Sequence, residues 1–178
     1  MTYFEALTKS MEFLSSKKDT IFIGQAIKFP GTAMSSTLKN INKDKLIELP
    51  VFEETQMGIS IGLSLNNYVP ITIYPRWNFL LLAMNQLINH LDKLQEISSE
   101  KLKHKVIIRT GIGSIRPLDP QIQHKGDFTK GMKSFLKNIE IIKLNSPNKI
   151  LPAYKKAYNR RDGKHTILVE YGDYYNEK

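Results

Sequence analysis

Residues 49–79 read LPVFEETQMGISIGLSLNNYVPITIYPRWNF and carry the strongest indication of how the chain folds. Apolar runs of strand length occur at residues 46–49 and 70–74. Between them, apolar residues at positions 57, 59, 61, 63 and 65 alternate with glycine or serine, which is the period of a strand. Small residues also allow a helix to pack closely on both sides. Taken alone, the alternation indicates a strand, and a helix that packs closely on both sides stays open as the alternative.

Short apolar runs and amphipathic stretches alternate along the rest of the chain. The predicted strands cover residues 20–23, 46–49, 70–74, 106–109, 139–144 and 166–171, and the predicted helices cover residues 2–14, 32–41, 53–66, 78–96, 129–136 and 148–159. Strands that are joined through helices lie parallel and are buried between helical layers. We therefore expect one domain over residues 1–178, an α/β fold with three layers (α/β/α) and a mainly parallel six-stranded sheet.

Composition narrows the class of protein. The chain has 178 residues, of which 41% are hydrophobic and 24% are charged, as in a soluble domain with a real core. Cysteine is absent, which excludes disulfides and thiolate chemistry and favours a reducing compartment, the cytoplasm by default. The longest apolar run, residues 77–88, contains three polar amides and is shorter than the roughly 20 residues that a bilayer requires. No membrane span is expected.

The net charge of +9 would suit a polyanionic partner. The basic residues are scattered, however, and no nucleic-acid-binding module or aromatic platform accompanies them. We interpret the charge as a solvated lysine-rich surface and expect no nucleic-acid partner.

Candidate functional residues should lie in the loops after the strands, because ligands of parallel α/β sheets bind beyond the carboxyl ends of the strands. These loops cover residues 24–31, 50–54, 75–79 and 110–126. The four histidines lack metal-ligand spacing and no GxSxG motif occurs, so metal and serine-hydrolase sites are not supported. Glu53 and Glu54 open a predicted helix, where a carboxylate commonly interacts with the helix dipole.

One family matches the order of these features. Residues 49–79 resemble the pyrimidine-binding domain of thiamine diphosphate enzymes, and most closely the beta subunits of the decarboxylating component of 2-oxo acid dehydrogenases. The resemblance rests on a proline followed by Glu53, the glycines Gly58 and Gly62, a strand with a second proline, and the aromatic turn that ends at Phe79. It extends to IFIGQAI at residues 21–27 and to VIIRTG at residues 106–111, and covers nearly the whole chain.

This resemblance implies a helix from Glu53 onward and a set of site residues. Glu53 would hydrogen-bond a ring nitrogen of the cofactor's aminopyrimidine, which requires a carboxyl group shielded from water. Phe79 matches the position that stacks on this ring, and Trp77 would form a second wall, although both could be core aromatics. His124 matches a histidine that faces the substrate or the acyl acceptor. The cofactor implied is thiamine diphosphate.

The sequence departs from the family at several positions. Gln25 and Ala26 replace acidic residues, and Leu82 replaces a polar residue, so the substrate or the acceptor could differ. The family's carboxyl-terminal domain and diphosphate-binding motif are not found in the sequence. We therefore expect a split enzyme in which a separate alpha-like subunit holds Mg²⁺ and the diphosphate, in a hetero-oligomer such as a heterotetramer.

Three functions follow as alternatives. The chain would help to decarboxylate a 2-oxo acid such as pyruvate and pass the acyl or aldehyde unit to a sugar or another carbonyl compound. Alternatively, the acceptor would be a lipoyl group, as in a dehydrogenase. A non-catalytic scaffold subunit is the third possibility.

Overall fold

A computed structural model of the chain describes residues 1–29, 31–115 and 119–176. Residues 116–118, within the predicted active-site loop, lie outside the described residues. The six strands are β1 (Thr20–Gly24), β2 (Leu46–Glu48), β3 (Val69–Tyr74), β4 (Ile107–Ile112), β5 (Ile139–Lys143) and β6 (His165–Tyr171). Each lies where the sequence predicted a strand.

The strands form one sheet in the order β2-β1-β3-β4-β6-β5, and every neighbouring pair is parallel. All carboxyl ends therefore meet at one edge of the sheet. The prediction of a mainly parallel six-stranded sheet is confirmed, and within the described residues the sheet is entirely parallel.

Helices cover both faces of the sheet. They are α1 (Tyr3–Ser15), α2 (Ala33–Ser36), α3 (Glu53–Leu65), α4 (Trp77–Leu80), α5 (Leu94–Ile97), α6 (Thr129–Phe135) and α7 (Pro147–Asn159). One core cluster joins α1 and α7 to one face through residues such as Leu7, Tyr154 and Ile71. A second cluster joins Met57 of α3 and Met132 of α6 to the other face. The three-layer α/β/α prediction is confirmed. Among the described residues, no helix is both long and apolar enough to cross a bilayer.

Two predicted helices are shorter or less regular than expected. The helix predicted over residues 32–41 is reduced to α2, where the hydroxyls of Ser35 and Thr37 donate to the Thr32 and Met34 carbonyls. Such local bonds compete with a continuing helix. The segment predicted as one helix over residues 78–96 contains α4, a 3-10 turn (Leu81–Ala83), a π-helical turn (Gln86–Leu91) and α5. The π turn leads into buried Asp92, whose carboxylate accepts from the backbone N–H groups of Lys137 and Asn138.

The segment with strand-like alternation forms the helix α3, as the resemblance implies. Its buried face contains Gln56, Ser60 and Ser64, and Gln56 donates to Thr72 Oγ1 and to the Ile73 carbonyl, both at 2.9 Å. Apolar Ile59, by contrast, is exposed. The helix thus packs polar and small residues against the sheet, which is why its apolar residues do not follow a helical period.

Candidate functional site

A cavity of about 320 Å³ opens at the carboxyl edge of the sheet. Its walls come from segments that follow β1, β3, β4 and β6, including Gln25, Met34, Arg76, Phe79, Ser114 and Tyr175. This is the edge at which ligands bind in parallel α/β sheets. The cavity therefore lies where the sequence predicted function.

Glu53 is the first residue of α3 and is 5% exposed. Gln25, which lines the cavity, donates from Nε2 to Glu53 Oε1 at 3.0 Å. The second carboxylate oxygen receives no hydrogen bond from the residues that the structure describes. The Tyr74 hydroxyl donates to the Glu53 carbonyl at 3.2 Å and fixes the start of the helix. Glu53 is thus a buried carboxylate, connected to the cavity through Gln25.

The turn that carries Gln25 is held in place by a second carboxylate. Glu48, at the end of β2, accepts hydrogen bonds from the backbone N–H groups of Ala26, Ile27 and Lys28 at 2.5–2.9 Å. Ala26 has a positive φ of 51°, which a non-glycine residue adopts only at a cost. The Glu48 carboxylate offsets that cost by satisfying three consecutive donors.

Phe79 lines the cavity and contacts His124, which lies beside the cavity and is not one of its lining residues. Their ring centroids are 5.1 Å apart, and both residues are half-buried. Arg76 donates from Nη1 to the His124 carbonyl at 3.1 Å and to the Gly113 carbonyl at 2.8 Å. Nδ1 of His124 is buried and has no hydrogen-bond partner among the described residues. The structure therefore places Phe79 and His124 together, and Arg76 connects the turn after β3 to two points of the connection that follows β4.

The other sequence-derived candidates lie elsewhere. Trp77 is fully buried in the second core cluster, the alternative that the sequence left open for an aromatic at this position. Leu82 is 60% exposed on the surface. Glu54 accepts hydrogen bonds from the side chains of Asn85 at 2.8 Å and Gln86 at 3.4 Å. It therefore stabilises the contact between α3 and the following helical segment.

A buried ion pair, which sequence reasoning missed, lies beside the cavity. Arg109 of β4 donates to Glu170 of β6 at 2.5 and 3.1 Å, and both side chains are fully buried. Tyr154 and Tyr175 also donate to this carboxylate, and Tyr175 lines the cavity. Burial opposes the charged form of Arg109, but Glu170 raises its pKa well above the usual value. In the sequence, the one sign of this pair is that Arg109 and Glu170 each stand within an apolar strand segment. No group of three or more His, Cys, Asp or Glu side chains that could hold a metal ion occurs among the described residues.

The fold is that of the transketolase-like thiamine diphosphate enzymes. A solved split-gene transketolase, an inactive beta4 tetramer, has a TM-score of 0.73, and the match covers 97% of this chain and 52% of that chain at 13% identity. A candidate thiamin diphosphate-dependent enzyme from Mycobacterium smegmatis has a TM-score of 0.59 over 96% of this chain and 30% of that chain, at 16% identity.

Sequence similarity indicates a narrower group than the fold does, the beta subunits of the pyruvate dehydrogenase E1 component. The beta subunit of the pyruvate dehydrogenase E1 component from Gracilaria tenuistipitata var. liui is 24% identical over 98% of this chain, and the match covers 54% of that subunit. The corresponding subunit from Cyanidium caldarium is 29% identical over 65% of this chain and 36% of its own length. No family model matches. The resemblance to these beta subunits is confirmed, and the chain spans about half or less of their length.

Proposed function

We propose that this chain is the pyrimidine-side subunit of a thiamine diphosphate-dependent enzyme that decarboxylates a 2-oxo acid, pyruvate-like in structure, and transfers the resulting unit to an acceptor. Residues 1–178 would form the pyrimidine-binding domain. The observation that carries the proposal is the buried Glu53 carboxylate, which begins α3 beside the cavity and has one oxygen free of hydrogen bonds from the described residues. The similarity to beta subunits of pyruvate dehydrogenase supports it.

The residues at the cavity fit an aminopyrimidine ring. Glu53 Oε2 would bind a ring nitrogen and hold or return a proton there, while Gln25 orients the carboxylate through Oε1. Phe79 would supply an aromatic face for stacking. When bound, thiamine diphosphate supplies the carbon nucleophile and the electron sink for decarboxylation. Trp77 would act by supporting the helical turn that positions Phe79.

His124 would face the substrate or the acceptor. Its Nδ1, which has no hydrogen-bond partner in the part of the chain that the structure describes, can accept or donate a hydrogen bond, and its ring contacts Phe79 while its backbone carbonyl accepts from Arg76. An imidazole ring can both accept and donate a proton, so this group would move a proton during transfer.

A separate alpha-like subunit would hold Mg²⁺ and the diphosphate and complete a hetero-oligomer such as a heterotetramer. The surface around α3 supports this, because Val51, Phe52, Ile59 and Leu82 are between 38% and 67% exposed there or in the adjoining segments. A Cβ added at Gly62 would meet no atom within 4 Å, so a partner could approach this helix closely. Exposed apolar area of this kind is typical of protein interfaces. The similar split-gene transketolase is inactive as a beta4 tetramer, which agrees with a need for a partner.

The acceptor is proposed as a sugar or another carbonyl compound, with a lipoyl group as the alternative. Gln25 favours the first, since it places an amide beside Glu53 where the family pattern has an acidic residue. A non-catalytic scaffold would not require a hydrogen-bonded carboxylate at this position. The cytoplasmic location stays a prediction.

The proposal is tested by co-expressing the chain with the product of a neighbouring gene that carries the diphosphate motif. Decarboxylation of pyruvate is measured with thiamine diphosphate and magnesium. Glu53→Gln should lower kcat by at least about a hundredfold, because the amide cannot exchange the proton. Glu54→Gln, the matched control on the next residue, should stay within about threefold of wild type. Equal activity of wild type and Glu53→Gln would refute the role of Glu53.

A further inference from the structure

A second cavity, of about 360 Å³, lies at the opposite edge of the sheet. It is formed where β1, β3 and β4 begin, by the end of α3, by residues 101–105 and by Arg161. The strands between the two edges are five or six residues long, so about 17–20 Å of sheet separate this cavity from the candidate active site. It is therefore a distinct feature of the molecule.

Positive charge dominates this cavity. Lys101, Lys103, Lys105 and Arg161 line it, and Asp19 is the carboxylate among its lining residues, which leaves an excess of three positive charges. In the part of the chain that the structure describes, none of the four cations forms an ion pair. The Asp19 carboxylate accepts a hydrogen bond from the Tyr158 hydroxyl at 2.9 Å instead.

One of these cations is removed from water. Lys105 is 7% exposed, and Nζ donates to the Arg160 carbonyl at 3.1 Å. Burial lowers the pKa of Lys105 and the positive charge of Arg161 lowers it further, while Asp19 and Asp162 act in the opposite direction. The four positive charges outnumber the one lining carboxylate, Asp19, so they repel one another, and a bound anion would relieve this repulsion.

The cavity is also lined by apolar residues. Leu65 and Tyr68 line it and are 44% and 45% exposed. The volume lies at the lower end of the range of small-molecule sites. Cations and an exposed aromatic ring in the wall of one cavity suit a ligand that combines an anionic group with a planar or apolar group.

We propose that this cavity binds an organic phosphate. The phosphate groups lie among Lys101, Lys103 and Arg161, and the organic part lies against Tyr68 and Leu65. The site accounts for part of the excess charge of the chain without a nucleic-acid partner, and it does not depend on the proposed catalytic function.

Calorimetric titration of the chain at low ionic strength tests this, with ADP and inorganic pyrophosphate as probes. We expect one ADP bound per chain. Lys103→Gln/Arg161→Gln should weaken both probes at least tenfold. The control Lys130→Gln/Lys133→Gln removes the same charge from exposed positions of α6 outside the cavity and should change affinity less than twofold. Tyr68→Ala should weaken ADP but not pyrophosphate.

Several results would overturn the assignment. Equal weakening by the two double variants would show attraction by net charge alone. The absence of saturation at one equivalent would exclude a defined site. A single-stranded oligonucleotide that binds more tightly than ADP, and is lost in the Lys103→Gln/Arg161→Gln variant, would identify a nucleic-acid surface instead. Tyr68→Ala weakening both probes alike would contradict the placement of the organic part.

Discussion

Buried His165 should make the free energy of unfolding depend on pH. It begins β6, is fully buried, and accepts a hydrogen bond at Nδ1 from the Val106 backbone N–H at 3.1 Å. Burial lowers its pKa to about 3, helped by His104, whose ring centroid lies 5.0 Å away, and by Arg160, while the backbone of Leu91 and the Asp162 carboxylate act in the opposite direction. The folded protein therefore keeps this imidazole neutral.

The pH range and the size of the effect follow from this pKa. An unfolded histidine titrates near pH 6.5, so the stabilising contribution is complete above about pH 6.5 and is lost as the pH falls toward 3. Each pH unit in this range costs about 1.4 kcal/mol of unfolding free energy. At pH 4 the loss attributable to His165 is about 3 kcal/mol, a large part of the stability of a typical domain.

Urea denaturation of wild type and His165→Asn at pH 7, 5.5 and 4 measures this loss. The asparagine oxygen can accept the Val106 hydrogen bond but does not titrate, so the variant should lose about 3 kcal/mol less than wild type between pH 7 and pH 4. His90→Asn, at an exposed histidine, is the control and should follow wild type. If His165→Asn and wild type lose stability in parallel, His165 does not titrate as a buried neutral group.

Two further predictions concern residues around the cavity. Glu170→Gln leaves Arg109 as a buried charge without its counterion and should cost about 3–5 kcal/mol, whereas Tyr154→Phe removes one hydrogen bond and should cost about 1 kcal/mol. Chemical denaturation of both variants checks this, and equal losses would contradict the ion pair's role. Gln25→Ala removes the donor that orients Glu53 and should lower kcat of the partnered enzyme roughly 10- to 100-fold. Unchanged kcat would show that the amide is dispensable, and circular dichroism controls for folding.

The sequence was sufficient to predict the layers of the fold, but it did not predict which face of every helix is buried. The strand positions followed from short apolar runs, and the sheet's parallel character followed from the helices between them. In α3, the buried face consists of groups such as Gln56 and Ser60 that bond to backbone and to β3, while Ile59 is exposed. Hydrophobic periodicity identifies a helix only when apolar residues face the core, so it indicated a strand here.

The candidate site was predicted only in part, for a similar reason. Glu53, Phe79 and His124 follow from a motif order, and the structure places them beside or in the walls of one edge cavity. The contact of Gln25 with Glu53 depends on a turn held by Glu48, which is 22 positions from Ala26 along the chain. Contacts of this kind arise from the parallel pairing of β1 and β2 and have no local sequence signal.

The Arg109–Glu170 pair has a consequence for how this chain can change over evolutionary time. Replacing either residue alone passes through a protein that contains an unneutralised charge in its interior, and such intermediates are strongly disfavoured. Substitutions at the two positions should therefore occur together, so that both residues are charged or both are apolar. Tyr154 and Tyr175 extend this constraint to α7 and to the carboxyl-terminal turn, because their hydroxyls would lose the same acceptor. In a related protein, a substitution of Arg109 should thus be accompanied by substitutions at Tyr154, Glu170 and Tyr175.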